Sequence, residues 1–193
     1  MALTRAEVVD AALGILDEYG LADLSMRRVA ARLEVQPGAL YHHVENKQTL
    51  LAGVADEILG QVSCPAGPWR EAILGWALNL RAALMAHRDS AEVVASSRAF
   101  GLVTVDVLER PILMLAAAGI PEPTARQAAS TLWHFVLGHV AEEQARRYLV
   151  QMNLAASESP GRSASGSSPE VSDEEQLRGG VGLILSGASA ALA

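Results

Sequence analysis

The sequence predicts an all-α protein. Apolar residues recur at the three- and four-residue steps of helices, whereas no stretch alternates between apolar and polar residues over six or more positions. Half of the 193 residues are apolar, which suffices for a sizeable core. The proline- and glycine-containing break at 64–68 (CPAGP) divides the helical pattern, so we expect two domains, residues 1–62 and residues 63–193.

The first helix is predicted from its N-terminal signals. Thr4 and Glu7 have the T-x-x-E spacing of a capping box, and Leu3 and Val8 have the spacing of a hydrophobic staple. Gly20 is placed to end the helix in a left-handed cap.

Two short helices and a longer one are expected next. Ser25 is a candidate N-cap for the first short helix, and residues 33–35 have the composition of a tight turn. Proline suits the first position of a helix, where its missing N–H costs nothing, so the second short helix is predicted over 37–43. Asn46 caps a longer helix that ends near residue 62.

The remainder of the chain continues the helical pattern. Residues 155–172 are rich in Ser, Gly and Pro and have no apolar periodicity, which predicts a mobile loop. Helices are predicted over 68–87, 91–99, 103–118, 123–152 and 173–192.

Composition limits the possible functions. No apolar run is long enough to span a bilayer and no secretory leader is recognisable, so we expect no membrane partner and a cytoplasmic location. Cys64 is the only cysteine, which excludes an intrachain disulfide and a multi-cysteine zinc site; we expect no metal and no other cofactor. The formal net charge of −7 still permits DNA binding, because Arg27, Arg28 and Arg32 form a local basic patch.

Two short helices joined by a tight turn have the layout of a helix-turn-helix, in which the second helix enters the major groove. A plain helical hairpin has the same spacing. The residue types favour DNA binding: 24–30 (LSMRRVA) and 37–47 (PGALYHHVENK) strongly resemble the DNA-binding segment of the tetracycline-repressor (TetR) family. The similarity covers nearly all of residues 4–60. It implies a three-helix DNA-binding domain, residues 1–62, which we call the reading head.

The resemblance implies DNA contacts in the reading head. The planar guanidinium of Arg27 would reach a guanine edge or a phosphate. Tyr41 is equally a candidate for packing, and His42 is expected to be more exposed than His43. Glu34 departs from the glycine that is usual in the family's turn, and a left-handed conformation there would cost about 1 kcal/mol. The predicted DNA contacts are Ser25, Arg27, Arg28, Gln36, Pro37, Gly38, Ala39, Tyr41, His42 and Lys47.

A looser resemblance extends over residues 63–193. The segments 84–89 (LMAHRD) and 133–138 (WHFVLG) are similar to the ligand-binding domain of the tetracycline-repressor branch. There the drug enters with a divalent metal held by a histidine that aligns with Val94, and valine cannot coordinate a metal. A drug-anchoring asparagine aligns with Trp76, so we expect a hydrophobic or aromatic effector instead. The predicted ligand contacts are Trp76, Leu80, Leu84, Val94, Ser97, Leu113, His134, Leu137 and Glu142.

The resemblance also implies a homodimer. Residues 123–152 and the last helix are similar to the family's four-helix dimer interface, and the small residues at 187–191 (GASAA) permit close helix approach. A two-fold dimer would place two recognition helices about one DNA turn apart on a near-palindromic operator. The effector would shift the population towards a state with wrongly spaced heads, and helix 46–62 would be the lever.

Two alternatives stay open at this point. A DNA-binding regulator that responds to another protein, or to nothing, would lack a solvent-accessible cavity in the domain of residues 69–150. An enzyme that used His139, Glu142 and Glu143, which lie at helical spacing, is the other, although the sequence has no H-E-x-x-H, no Gly-rich phosphate loop and no nucleophile elbow.

Overall fold

The computed structural model describes residues 3–156 and 172–190, and within these ranges it confirms the all-α class. No strand occurs in the described residues, and none of their helices is long and apolar enough to cross a membrane. The helices are α1 Arg5–Tyr19, α2 Met26–Arg32, α3 Pro37–Leu40, α4 Lys47–Gly60, α5 Trp69–Met85, α6 Ser90–Ala99, α7 Glu109–Ala117, α8 Glu122–Ala156 and α9 Asp173–Ser189.

The predicted starts of the first four helices are confirmed. The Thr4 hydroxyl accepts from the Glu7 N–H at 3.2 Å, and the Glu7 carboxylate accepts from the Thr4 N–H at 2.8 Å, so both halves of the capping box form. Ser25 caps α2, Pro37 is the first residue of α3, and the Asn46 amide oxygen caps α4. These side chains pair backbone N–H groups that a helix start leaves without a partner.

The end of α1 differs from the prediction. Gly20 has φ 85° and ψ 173°, which is not the left-handed helical cap that we expected, although its N–H still bonds the Leu16 carbonyl at 2.8 Å. The second short helix is also shorter than predicted: α3 ends at Leu40, and the chain continues through a turn closed by the His43 N–H on the Leu40 carbonyl.

The predicted helix over 103–118 is wrong in its first third. Residues 103–108 precede α7, and side chains occupy their backbone groups. Asp56 accepts from the N–H groups of Thr104 and Val105 at 2.8 and 3.0 Å, and the Val107 carbonyl accepts from the Trp76 indole at 3.0 Å. These hydrogen bonds take the place of the backbone hydrogen bonds of a helix, so the backbone groups are paired without helical structure.

The predicted loop over 155–172 is changed at both ends. Ala155 and Ala156 belong to α8, and Ser172 forms a capping box with Glu175 at the start of α9. The rest of the predicted loop lies outside the described residues.

A single cluster of buried side chains runs through all these helices, from Val8 to Ala188. Within it α4 lies between α1 and α6, and α8 packs against α5, α7 and α9. A Cβ at Gly180 of α9 would clash with the ring of Phe135 on α8, so these two helices approach closely. The division of the chain at residues 62 and 63 stays a prediction.

Candidate nucleic-acid interface and effector domain

The turn between α2 and α3 keeps a left-handed residue at Glu34, although the cost of that conformation for glutamate led us to expect a reshaped turn. Glu34 has φ 55°, in the left-handed region, and the Val35 N–H reaches back to the Ala30 carbonyl at 3.0 Å. Val29 and Leu40 are fully buried, so the apolar face of each short helix is fixed in the core. The opposite faces of α2 and α3 are left to solvent.

Four of the predicted DNA contacts border one shallow surface concavity: Ser25, Arg27, Pro37 and Tyr41. Tyr41 is 54% exposed, which favours a surface contact over the packing role that we considered for it. Arg27 is exposed and has no carboxylate partner among the described residues. The concavity therefore presents a cation, a phenol and a hydroxyl together, which are groups that bind phosphate.

The recognition helix has space at its N-terminal end. A Cβ at Gly38 would meet nothing within 4 Å, so the fold itself does not require glycine there. His42 is exposed and His43 is half-buried, as expected. The other predicted contacts on this side, Gln36, Ala39 and Lys47, are exposed, half-buried and half-buried, respectively.

The other two arginines of the basic patch have intramolecular partners. Arg28 lies 3.2 Å from the Asp23 carboxylate and stacks over the Tyr19 ring at 4.5 Å. Arg32 pairs with Glu18 at 3.1 Å. Arg28 would have to give up these contacts to bind DNA, so the structure supports Arg27 as a contact more than Arg28.

Six of the nine predicted ligand contacts are buried, and three are not. Leu113 is 55% exposed, His134 is exposed and the Glu142 side chain is 80% exposed, so none of these three faces the interior of its own chain. Their roles as ligand contacts stay predictions. The buried set consists of Trp76, Leu80, Leu84, Val94, Ser97 and Leu137.

A buried acid lies one residue beyond the predicted one. Glu143 is 2% exposed and accepts from the Arg81 guanidinium at 2.7 and 2.9 Å and from Arg147 at 2.8 Å. The sequence contains a signal for it that our prediction missed. Residues 136, 140 and 143 share one helical face, and Val136 and Val140 are both buried.

The residues of the enzyme alternative do not converge. Glu143 is saturated by two arginines, Glu142 points to solvent, and the His139 ring lies 6.0 Å from that of Phe135. Among the described residues no group of three or more His, Cys, Asp or Glu side chains could hold a metal.

Cys64 is half-buried, with its Sγ 3.4 Å from the Met114 sulfur. Burial raises the pKa of this thiol above its ordinary value, so the thiolate is disfavoured. This agrees with a packing role for the side chain rather than a reactive one.

One cavity of about 270 Å³ lies where the end of α1 meets α8. Its walls include Asp17, Met85, Gln144 and Tyr148. None of the predicted ligand contacts lines it, so it is separate from the buried set described above.

Comparison with known proteins covers both parts of the chain. Residues 8–54 match the family described as "Bacterial regulatory proteins, tetR family", and residues 63–174 match "Tetracyclin repressor-like, C-terminal domain". The tetracycline repressor protein class A from transposon 1721 of Escherichia coli is 36% identical over 143 residues, which cover 72% of this chain and 66% of that repressor. The chain thus spans about two thirds of the length of this relative.

Solved structures match over nearly the whole chain. Mycobacterium smegmatis BioQ is 36% identical with a TM-score of 0.85, covering 98% of this chain and 99% of that one. BioQ has also been solved with its double-stranded DNA operator, at 36% identity and a TM-score of 0.76, covering 97% and 99%. ActR from Streptomyces coelicolor, in complex with (S)-DNPA, is 28% identical with a TM-score of 0.77, covering 98% of both chains.

Proposed function

Because the chain belongs to the tetracycline-repressor (TetR) family of bacterial regulators, we propose that it represses transcription from a palindromic operator and is released by a small apolar or aromatic effector. The observation that carries this proposal is the concavity of the reading head, where Arg27 has no carboxylate partner among the described residues. The operator complex of BioQ supports DNA binding, and the (S)-DNPA complex of ActR supports a small ligand.

Contacts with DNA follow from the exposed face. Arg27 donates to a guanine edge or to a phosphate, while Ser25 and Tyr41 donate to phosphate oxygens. Pro37, Gly38 and Ala39 begin the recognition helix, and the open space at Gly38 lets the backbone approach the bases. An operator-binding protein acts where the DNA is, so the cytoplasm remains the predicted compartment.

Dimerisation uses the outer faces of α8 and α9. Leu183 on α9 is 77% exposed in the isolated chain, which is unusual for a leucine in the middle of a long helix. Gly138 on α8 and Gly182 on α9 have open space where a Cβ would lie, so a second copy could approach both helices closely. His134 and Glu142 are exposed on α8, and we propose that the partner copy covers them.

The effector enters the region of the buried set. Trp76, Leu80 and Val94 give it apolar walls, and the Ser97 hydroxyl offers a polar contact. Val94 stands where the tetracycline branch has a metal-binding histidine, which argues against the metal–drug chelate of that branch.

Asp56 connects this region to the reading head. It lies on α4 and holds the segment 103–108 through the Thr104 and Val105 N–H groups, and Trp76 holds the same segment through the Val107 carbonyl. An effector that displaces Trp76 would therefore pull on α4, which begins beside the recognition helix. The effector must bind better to the displaced state than to the DNA-bound state.

Selection of bound sequences from a random DNA pool tests the DNA-binding part. We expect a near-palindrome with two half-sites about one helical turn apart, bound by a dimer in light scattering. Recovery of no specific sequence would contradict the proposed function.

The effector part needs a separate test. A panel of apolar and aromatic compounds is titrated into the protein–operator complex, and release of DNA is followed by fluorescence anisotropy. Trp76→Phe is the matched variant, because it keeps an aromatic side chain but loses the indole N–H that donates to the Val107 carbonyl. We expect magnesium–tetracycline to cause no metal-dependent quenching of tryptophan fluorescence; tight quenching would overturn the assignment to an apolar effector.

A regulator without a small-molecule effector is the second candidate. It is favoured by the tight burial of Trp76, Leu80 and Val94, which are each at most 1% exposed. This candidate would be supported if no compound class released the operator from wild-type protein or from Trp76→Phe.

A further inference from the structure

The reading head is attached to the C-terminal domain at a second point, away from α4. The end of α1 meets the turn between α5 and α6, where His87 Nδ1 lies 3.0 Å from the Asp17 carboxylate. The Arg88 N–H donates to the same carboxylate at 3.2 Å, and the Leu21 N–H donates to Asp89 at 2.8 Å. We call these five residues the α1 junction.

The backbone of the α1 junction has conformations that few residues adopt. Asp89 has φ 54° and ψ 14°, in the left-handed region. It is the N-cap of α6 but makes no capping bond, because its carboxylate is turned towards Leu21. Gly20 has φ 85°, and a Cβ there would lie 2.7 Å from the Asp89 carboxylate, so the two segments meet at a distance that only glycine allows.

The turn that contains Asp89 is hydrogen-bonded to α8. The Gln144 amide nitrogen donates to the carbonyls of Leu84 and His87 at 3.1 and 2.9 Å. It also lies 3.1 Å from the Ser90 hydroxyl. Since α8 is the helix on which we propose dimerisation, the α1 junction connects the reading head to the dimer axis through short, polar contacts.

The two attachments of the reading head differ in kind. Asp56 on α4 holds the segment 103–108, which has no helical structure and contacts Trp76 in the proposed effector region. Asp17 on α1 and Asp89 before α6 join the end of α1 to the turn between α5 and α6, which also accepts from Gln144 of α8. We therefore expect the attachment at Asp56 to transmit a displacement of Trp76, and the attachment at Asp17 and Asp89 to keep its geometry.

We infer that the α1 junction is the fixed attachment that orients the reading head on the dimer, with Asp17 and Asp89 as the positioning residues that set the half-site spacing of the operator. The inference rests on the proposed function, since it concerns how a dimer reads two half-sites. Neither residue contacts DNA; each acts by holding the head in place.

The experiment measures spacing selectivity. The operator obtained by selection is compared, by fluorescence anisotropy at one salt concentration, with operators that have one base pair inserted or removed at the centre. One base pair moves a half-site by about 3.4 Å and turns it by roughly 35°. Wild-type protein, with rigid heads, is expected to lose affinity by roughly tenfold or more at either altered spacing.

The junction variants are expected to lose this selectivity. In Asp17→Ala and Asp89→Gly the heads can follow a displaced half-site, so the ratio of affinities should fall to about threefold or less. Asp89→Gly is used because glycine accepts the left-handed conformation while removing the carboxylate, which protects folding. A ratio of two affinities is also unaffected by the fraction of unfolded protein.

Two controls make the result specific. Asp89→Asn keeps an acceptor oxygen for the Leu21 N–H and tolerates the left-handed region, so it should retain the wild-type ratio. Asp10→Ala removes an exposed carboxylate of α1 that lies outside the α1 junction, and it should also leave the ratio unchanged.

Three outcomes would overturn the inference. Wild-type selectivity in both Asp17→Ala and Asp89→Gly would show that the α1 junction does not position the heads, while the proposed function would stand. An equal loss in Asp10→Ala would show that any change on α1 has the effect. Selection of no operator by wild-type protein would remove the proposed function and this inference together.

Discussion

The reading head and the C-terminal domain place their charged side chains in opposite ways. In the reading head Arg27 reaches solvent, with no carboxylate partner among the described residues. In the C-terminal domain Glu143 is 2% exposed and lies between Arg81 and Arg147. The reading head leaves this charge exposed, and the C-terminal domain uses charge to join α5 to α8.

Each domain contains a pair of adjacent residues of like charge that lie in different surroundings. Within the part of the chain that the structure describes, Arg27 has no carboxylate partner while Arg28 is paired with Asp23, and Glu142 is exposed while Glu143 is buried. Successive residues on an α-helix point about 100° apart, so neighbours of like charge meet different surroundings. Matched substitutions within each pair therefore separate charge from environment.

The largest effect is expected in the C-terminal domain. Glu143→Ala leaves Arg81 partly buried without its carboxylate, which should lower the free energy of unfolding by about 3 kcal/mol. The lower end of the usual range applies because Arg147 is 59% exposed and can be hydrated. Urea denaturation followed by circular dichroism measures the change.

Glu142→Ala is the matched control for that experiment. Its side chain is 80% exposed and pairs only loosely with Arg146, so its stability should remain within about 0.5 kcal/mol of wild type. Equal losses in the two variants would contradict the burial of Glu143.

The second effect concerns operator binding by the reading head. Arg27→Ala would remove the contact to a base edge or a phosphate that we propose, which should weaken binding by about 1–3 kcal/mol, or roughly fivefold to 150-fold. If Arg27 contacts a phosphate, the slope of the logarithm of affinity against the logarithm of salt concentration should also become shallower by about one. Titration of labelled operator at several salt concentrations measures both.

Arg28→Ala serves as the comparison, since Arg28 is already occupied by Asp23 and Tyr19. We expect it to weaken operator binding less than Arg27→Ala does. A loss as large as that of Arg27→Ala would mean that Arg28 leaves its partners when DNA binds.

The same contrast explains how much the sequence could predict. The capping residues Thr4, Ser25 and Asn46 were predictable because each depends on interactions within a few residues. Trp76 was predicted only as a ligand contact, and its bond to Val107 joins positions 31 residues apart and could not be read from a local pattern. Long-range polar contacts of this kind are what removed residues 103–108 from the predicted helix.

The predicted sites divide in the same way. Ser25, Arg27, Pro37 and Tyr41 lie together because two short adjacent helices carry them all. Leu113, His134 and Glu142 were placed in the effector region by resemblance, but their orientation depends on how α7 and α8 rotate against the core. Helical spacing within α8 favours Glu143 as the buried acid, which the resemblance alone did not reveal.

The third effect is a gain of stability in the reading head. Glu34 adopts φ 55°, a conformation that costs a non-glycine residue about 1 kcal/mol. Glu34→Gly should therefore raise the free energy of unfolding by up to about 1 kcal/mol, measured by urea denaturation, with operator affinity unchanged. Glu34→Ala, which keeps the strain, is the control, and stabilisation by alanine as well would show that the glutamate charge is responsible.

The smallest effect is one in which the two domains should behave alike. Glu7 in the reading head and Glu175 in the C-terminal domain each accept hydrogen bonds from their N-cap residue, Thr4 and Ser172, and these bonds lower the pKa of both carboxyls below the ordinary value of 4.5. A carboxyl with a depressed pKa stabilises the folded state above the unfolded pKa, and this stabilisation is lost as the pH falls through the folded pKa.

We therefore expect the free energy of unfolding to fall as the pH is lowered below 4.5, partly because these two carboxyls must be protonated. Glu7→Gln and Glu175→Gln keep the capping hydrogen bonds but do not titrate, since glutamine serves equally at this position of a capping box. Urea denaturation across the acid range should show a shallower fall in the double variant than in wild type. An unchanged slope would mean that the capping boxes open before the carboxyls take up protons.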